Sequence, residues 1–232
     1  MQACMNEGAK LIYLHTMEDA VFTPKSEFFS RYEVGSEEGV LALLAKALLL
    51  HVNLPQSLQT YFEDLDDGYL SAESNFGEEE LEEVQALYTK SKGALIWLGE
   101  DIVKHPRFHN CVRFAKIIAA HTNAVVYGVD KQMDDETLLE EVAPLKSFDG
   151  TVVYQCVKKE NESAVLIGSA QFAIAAKATH GMALNVAFNQ EVYACTFVQD
   201  DSLKGTIALM PRGDVGQEYP YRVAKIVKAD VQ

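Results

Sequence analysis

The sequence predicts an α/β protein in two parts. Residues 1–148 read as an open, mainly parallel sheet with helices on both faces, and residues 149–232 as a small β-barrel-like unit. Two observations carry this. Near-continuous apolar stretches alternate with helical patterns through the first two-thirds, as strands covered on both faces do. After Gly150 the pattern becomes short β segments in close succession. With 232 residues, 48% of them hydrophobic, the chain can bury a sizeable core.

In order, Lys10–Leu14 is a short strand. Ser36 is a fitting N-cap for a helix to His51, with Glu37 and Glu38 at the positive end of its dipole. Asn53 and Pro55 stop it. A helix follows over Glu78–Thr89, with Leu81, Val84 and Leu87 on one stripe, then a strand over Ala94–Leu98 closed by Gly99. Pro106–Thr122 places Phe108, Cys111, Val112, Ala115, Ile118 and Ala119 at helical spacing, and Asn123 suits a left-handed cap. Ala124–Val129 is a third strand and Asp134–Val142 a short acidic helix. In the second part Thr151–Val157 is a strand. Ala170–Ala178 is alanine-rich and predicts a helix capped by Ser169 and ended by His180-Gly181. Ala183–Phe188, Glu191–Val198, Thr206–Met210 and Tyr221–Val227 are strands, the first two joined by a turn at Asn189-Gln190. The boundary falls near Lys146–Gly150.

Charge and motifs narrow the function classes. A net charge of −14 argues against nucleic acid and anionic membrane surfaces. The acidic residues gather at Asp64, Asp66 and Asp67 and again at Glu78, Glu79, Glu80, Glu82 and Glu83, the latter read as a solvated first helical turn. The longest apolar run, Val40–Val52, is interrupted by Lys46 and His51 and is too short to span a bilayer. The N-terminal segment has neither the basic nor the apolar region of a secretory signal. Cys4, Cys111, Cys156 and Cys195 lie far apart without a C-x-x-C, which predicts reduced core thiols of a cytosolic protein.

No catalytic, cofactor-binding or metal residue is assigned from motifs. His105 and His109 stand four apart, but a metal pair needs further ligands, and solvated histidines at a helix entry are the simpler reading. His15 follows a strand, where α/β folds place ligand loops, with Asp19 after it; a plain loop histidine is favoured. Gly35-Ser36 and Gly99 could offer backbone N–H groups to a phosphate, yet neither a dinucleotide nor a P-loop fingerprint is present, and Glu37 and Glu38 would repel one.

Several stretches together resemble the molybdopterin oxidoreductase superfamily. EGAKLIYLHTMEDAV and YEVGSEEGVLALLAKALL are similar to its strand and following helix. KGALIWLGEDIVKHPRFHNCVRFAKIIAAHTN is similar to its next strand, glycine and long helix. SAQFAIAAKATHGMALNVAFNQEVYACTFVQDDSLKGTIALMP resembles its small molybdopterin-dinucleotide-binding barrel, with Gly181, Asn185, Val186, Leu203, Gly205, Leu209 and Pro211 in matching places. Within the superfamily, YEVGSEEGVLALLA, GYLSAESNFGEEELEEV and LKGTIALMP look closest to a family in bacterial NADH–quinone oxidoreductase, respiratory complex I: its subunit with an N-terminal cluster-bearing part and a molybdopterin-type region behind it. The superfamily's nucleotide-holding Asp-Pro-Arg reads His15-Thr16-Met17 here, and its first βα unit is missing.

The resemblance implies the C-terminal, non-cluster structural portion of such a subunit, with no cofactor in this chain and iron–sulfur clusters in the parent protein. It further implies contacts with other subunits of the complex's peripheral arm, and a cytoplasmic place at the inner membrane without insertion. Two rival expectations stand beside it: a fragment of a catalytic molybdopterin-dependent oxidoreductase such as a formate dehydrogenase, and a free-standing small-molecule-binding α/β protein.

Overall fold

The computed structural model describes residues 5–128, 139–148, 150–158, 164–188, 191–213, 216 and 218–229. It divides into two compact units, Met1–Lys146 and Ser147–Gln232.

The first unit is built on one helix. α1 (Glu37–Leu49) is apolar around most of its circumference, and Val40, Leu41, Ala42, Leu43, Ala45 and Leu49 are all buried. A helix of that composition has to be wrapped. α2 (Gln56–Asp64), α3 (Asp67–Ser74), α4 (Glu78–Thr89) and the short α5 (Glu100–Val103) join the cluster, and α6 (Phe108–His121) packs along α1. The stripe of α6 buries Cys111, Val112, Phe114, Ala115 and Ile118, four of them anticipated from spacing. α4 keeps its predicted bounds. Its entry is closed by Glu80, whose carboxylate accepts the Gly77 N–H at 2.9 Å.

Four strands lie against this cluster as two parallel pairs. β1 (Ile12–His15) pairs with β2 (Phe28–Arg31), and β3 (Ala94–Trp97) with β4 (Ala124–Tyr127). Ile12, Leu14, Phe28, Ala94, Ile96, Ala124 and Val126 face the helices. The expected single open sheet with helices on both faces is thus two separate pairs here. The far side of β3–β4 stays open: Leu95, Trp97, Val125 and Tyr127 are all about half exposed or more. The apolar runs that suggested two covered faces do alternate inward and outward, but their outward residues are themselves apolar.

β2, α2, α3 and the short α5 escaped the sequence reading. Phe28-Phe29-Ser30-Arg31 is too short to show a period, and it becomes a strand because Phe28 packs inward while Phe29 stacks on Tyr13 at 5.5 Å. α6 does not end in a left-handed Asn123. Thr122 closes it instead, its hydroxyl donating to the Ile118 carbonyl at 2.6 Å. Of the acidic helix expected over Asp134–Val142, residues 134–138 lie outside the described residues, and 139–142 are not helical.

The second unit is a curled, mixed sheet of seven strands in the order β10-β5-β9-β6-β8-β7-β11. The strands are β5 (Val152–Val157), β6 (Val165–Gly168), β7 (Ala183–Phe188), β8 (Glu191–Gln199), β9 (Ile207–Arg212), β10 (Tyr221–Val223) and β11 (Lys225–Lys228). β5 runs parallel to β9 and β6 parallel to β8; the other pairings are antiparallel. The two edge strands, β10 and β11, are consecutive in sequence, separated only by Ala224, so the last chain stretch bridges the edges of a half-barrel.

Val153, Leu166, Val186, Phe197, Ala208 and Met210 fill the inside together with Phe172 of α7 (Ala170–Ala176). α7 is the helix expected there, and the Ser169 hydroxyl caps it by accepting the Phe172 N–H at 3.0 Å. It ends on Lys177, which takes the left-handed conformation, four residues before the expected Gly181. β6 was missed. Its last residue must be glycine, because a Cβ at 168 would stand 2.7 Å from Phe172 Cδ1. The turn at Asn189-Gln190 lies outside the described residues, although Phe188 and Glu191 pair as a hairpin requires.

Candidate functional site

The carboxyl ends of β1 and β3, with the start of α1, are where an α/β fold of this kind would place a ligand. Polar side chains do collect there. Thr16, Ser36, Glu37, Glu38, Asp101, His105 and Asn110 are all buried.

Gly35, at φ 84°, makes the sharp entry into α1 that a side chain would strain. This entry delivers Glu37 and Glu38, each 1% exposed, to the first turn of a helix whose amide dipoles favour negative charge. The sequence placed both glutamates at the positive end of the dipole but carried no sign of their burial. They are buried because the loop between α5 and α6 folds over them.

Glu38 is held by three residues. Its carboxylate accepts the Arg107 Nε–H at 3.0 Å, the Asn110 amide at 2.7 Å and the Ala143 N–H at 3.2 Å, and it forms an ion pair with Arg107 Nη2 at 3.0 Å. Beside it, Glu37 Oε2 stands 3.4 Å from His105 Nε2. His105 Nδ1 accepts the Arg107 N–H at 3.1 Å, so the ring carries its proton on Nε2, toward Glu37. Burial pushes this imidazole down to about 4, the backbone of Gly35 works against that, and the nearby Arg107 charge lowers it further. Despite its carboxylate neighbour, His105 is therefore neutral at neutral pH.

This overturns the reading of His105 as a solvated residue. Only His109 is exposed, and the two histidines do not form a pair. The signal for His105 was weak: the residue precedes α6 and lies outside its apolar period.

His15 is half-buried, and its Nε2 lies 3.2 Å from Asp101 Oδ2. Its partner is not Asp19. Asp19 instead shapes the loop after β1, accepting the N–H groups of Val21 at 2.7 Å and Phe22 at 2.8 Å. Tyr13 stacks on His15, and burial together with Asp19 and Asp101 holds its phenol far above the ordinary range. Tyr32 is raised in the same direction by burial and Glu37.

Cys111 Sγ lies 4.0 Å from His105 Nδ1, so Cys111, His105 and Glu37 fall in the order nucleophile, base, orienting carboxylate. The order is not enough for catalysis. Cys111 has no exposed surface, and burial followed by the charges of Glu38 and Glu37 drives its thiol well above the normal range. A nucleophilic thiolate needs the opposite environment. Cys195 is likewise buried, its thiol pushed up to about 11 by desolvation. Cys156 is half-buried, and Cys4 lies outside the described residues. Among the described residues no three His, Cys, Asp or Glu side chains are grouped as a metal site would need.

A second cluster, missed in the sequence, extends from Arg107. Its Nη1 meets Glu140 Oε2 at 2.6 Å, and Arg113 meets Glu140 Oε1 at 2.5 Å. These two cations, Arg113 first, hold the Glu140 carboxyl below its usual range. The Asn110 amide joins both clusters by accepting the Glu140 N–H at 3.0 Å and donating to the Glu140 carbonyl at 3.0 Å. Asn110 was visible as a polar residue within the buried stripe of α6. Its partner thirty residues on was not.

No family model matches the chain, and no curated protein matches it.

Proposed function

We propose that the chain is a non-catalytic, structural part of an electron-transfer complex, in the manner of the C-terminal, molybdopterin-type portion of the cluster-bearing complex I subunit. The observation that carries this reading is the filled crevice. At the start of α1, where a phosphate or other anionic ligand would gain most from the helix dipole, the first turn already carries the chain's own buried Glu37 and Glu38. Arg107 and Asn110 neutralise and cover Glu38 from inside the fold. A crevice satisfied this way supports a scaffold more than a ligand-binding enzyme.

On this reading the first unit descends from an open, mainly parallel sheet with helices on both faces, and the curled second unit from a molybdopterin-dinucleotide-binding barrel. The chain carries no cofactor of its own, iron–sulfur clusters belong to the parent protein, and its partners are other subunits of the peripheral arm at the cytoplasmic side of the membrane. No helix among the described residues is long and apolar enough to cross a membrane. The open apolar face of β3–β4, around Trp97 and Tyr127, suits burial against a neighbouring protein.

Native gels of membranes from the source cells test this. The chain should migrate with NADH-oxidising activity, and its deletion should lower NADH–quinone reductase activity. Migration apart from that activity, with the activity intact on deletion, overturns the reading. Stoichiometric molybdenum and pterin in the purified protein would favour the catalytic alternative instead.

A further inference from the structure

Residues 139–145 cross the helices of the first unit without joining any helix or strand. A segment of this kind usually leaves its backbone to water. Here side chains answer it. Asn110 takes both the N–H and the carbonyl of Glu140, as a neighbouring strand would. The Tyr61 hydroxyl donates to the same carbonyl at 2.8 Å, and Arg107 donates to the carbonyl of Glu141 at 3.0 Å. Glu38 accepts from Ala143, and the Tyr69 hydroxyl accepts the Leu145 N–H at 3.0 Å.

The side chains of the segment are read as well. Glu140 lies between Arg107 and Arg113. Leu139, Val142 and Leu145, three apart, pack on the helical core, and that spacing is the period of a polyproline-type helix. Gly39 of α1 leaves room for Leu145: a Cβ there would come within 3.2 Å of Leu145 Cδ1. Glu141 and Pro144 are exposed.

We propose that this face of α1 and α6 is a binding site for an extended acidic peptide, occupied in cis by the chain's own residues 139–145. The recognition elements are those of a peptide receptor: backbone groups met by an asparagine and two tyrosines, one acidic side chain between two arginines, and apolar positions every third residue. The ligand is an extended segment with an apolar residue, an acidic one immediately after it, and apolar residues at the fourth and seventh places. A partner bearing it would bind by displacing the chain's own segment, whose tethering gives it a high effective concentration. Such a site would serve the chain whether or not it belongs to a larger complex.

The test uses the full chain and a fluorescein-labelled peptide, Leu-Glu-Glu-Val-Ala-Pro-Leu-Lys-Ser, copied from residues 139–147. Glu140→Ala loosens the segment in cis and should tighten peptide binding by about tenfold or more over the unsubstituted protein. Adding Asn110→Ala should abolish that binding, and a peptide with lysine in place of its first glutamate should not bind. A folded Glu140→Ala chain that ignores the peptide, or takes the lysine peptide equally well, overturns the proposal. Should Glu140→Ala fail to fold, hydrogen exchange on the unsubstituted chain decides. Excess peptide should speed exchange at the Glu140, Ala143 and Leu145 amides, and unchanged rates overturn the site.

Discussion

Phe172→Ala tests how the second unit is held together. Phe172 has no exposed surface and stacks on Phe197, with ring centroids 6.1 Å apart and planes 19° from parallel. It reaches the inside of the half-barrel because Ser169 caps α7 directly after β6, and because Gly168 has no side chain where the ring lies. Truncation removes the apolar transfer energy of the ring and leaves a cavity bounded by strands that cannot collapse into it. Such changes cost about 3–5 kcal/mol, and the lost ring pair adds about 0.5–1.5 kcal/mol. We expect a loss of about 4 kcal/mol, confined to the second unit. A single transition of the whole chain is the wrong measure, because two units need not unfold together. Native-state hydrogen exchange of the β6 and β8 amides reports the second unit directly. A loss below about 1 kcal/mol would show that the ring does not anchor the half-barrel and that the reasoning is wrong.

Three further outcomes follow from the first unit and the cysteines. Glu38→Ala leaves Arg107 and Asn110 without their buried partner and should cost about 3 kcal/mol or more in denaturant unfolding followed by Trp97 fluorescence; a change under about 0.5 kcal/mol would mean the clamp is idle. His105 ordinarily titrates near 6.5 but near 4 when folded, so only the unfolded chain takes up its proton between those values. Its share of stability is complete above pH 6.5 and is lost as the pH falls to about 4, a difference of about 3 kcal/mol; His105→Asn should flatten that slope, and an unchanged slope would locate the acid sensitivity elsewhere. Disulfide-exchange labelling of the native protein, read by mass spectrometry, should modify Cys156 well before Cys111 or Cys195, and early modification of Cys111 would contradict its burial.

How much was legible depends on how local each feature is. α1, α4, α6 and α7, with β3, β4, β5, β7, β8 and β9, follow from hydrophobic period, capping residues and turn signals spaced a few residues apart. Ser169 and the alanine run are enough to read α7 from the sequence. The sequence also shows Glu37 and Glu38 at a helix start, and Asn110 within an apolar stripe.

Only the tertiary structure decided what those residues do. Burial of His105 against Glu37 joins positions 68 residues apart, and the Glu38–Arg107 pair spans 69. Glu140 meets Asn110, Arg107 and Arg113 across 30, 33 and 27 residues of chain. β2 and β6 are strands because a partner and a packed ring are present, not because four residues prefer extension. Helix periodicity and capping are written within a few residues, so a sequence displays them. Burial and partner choice arise when distant segments meet, and they decide that His105 is a neutral part of the core and that the Glu38 carboxylate faces an arginine rather than water.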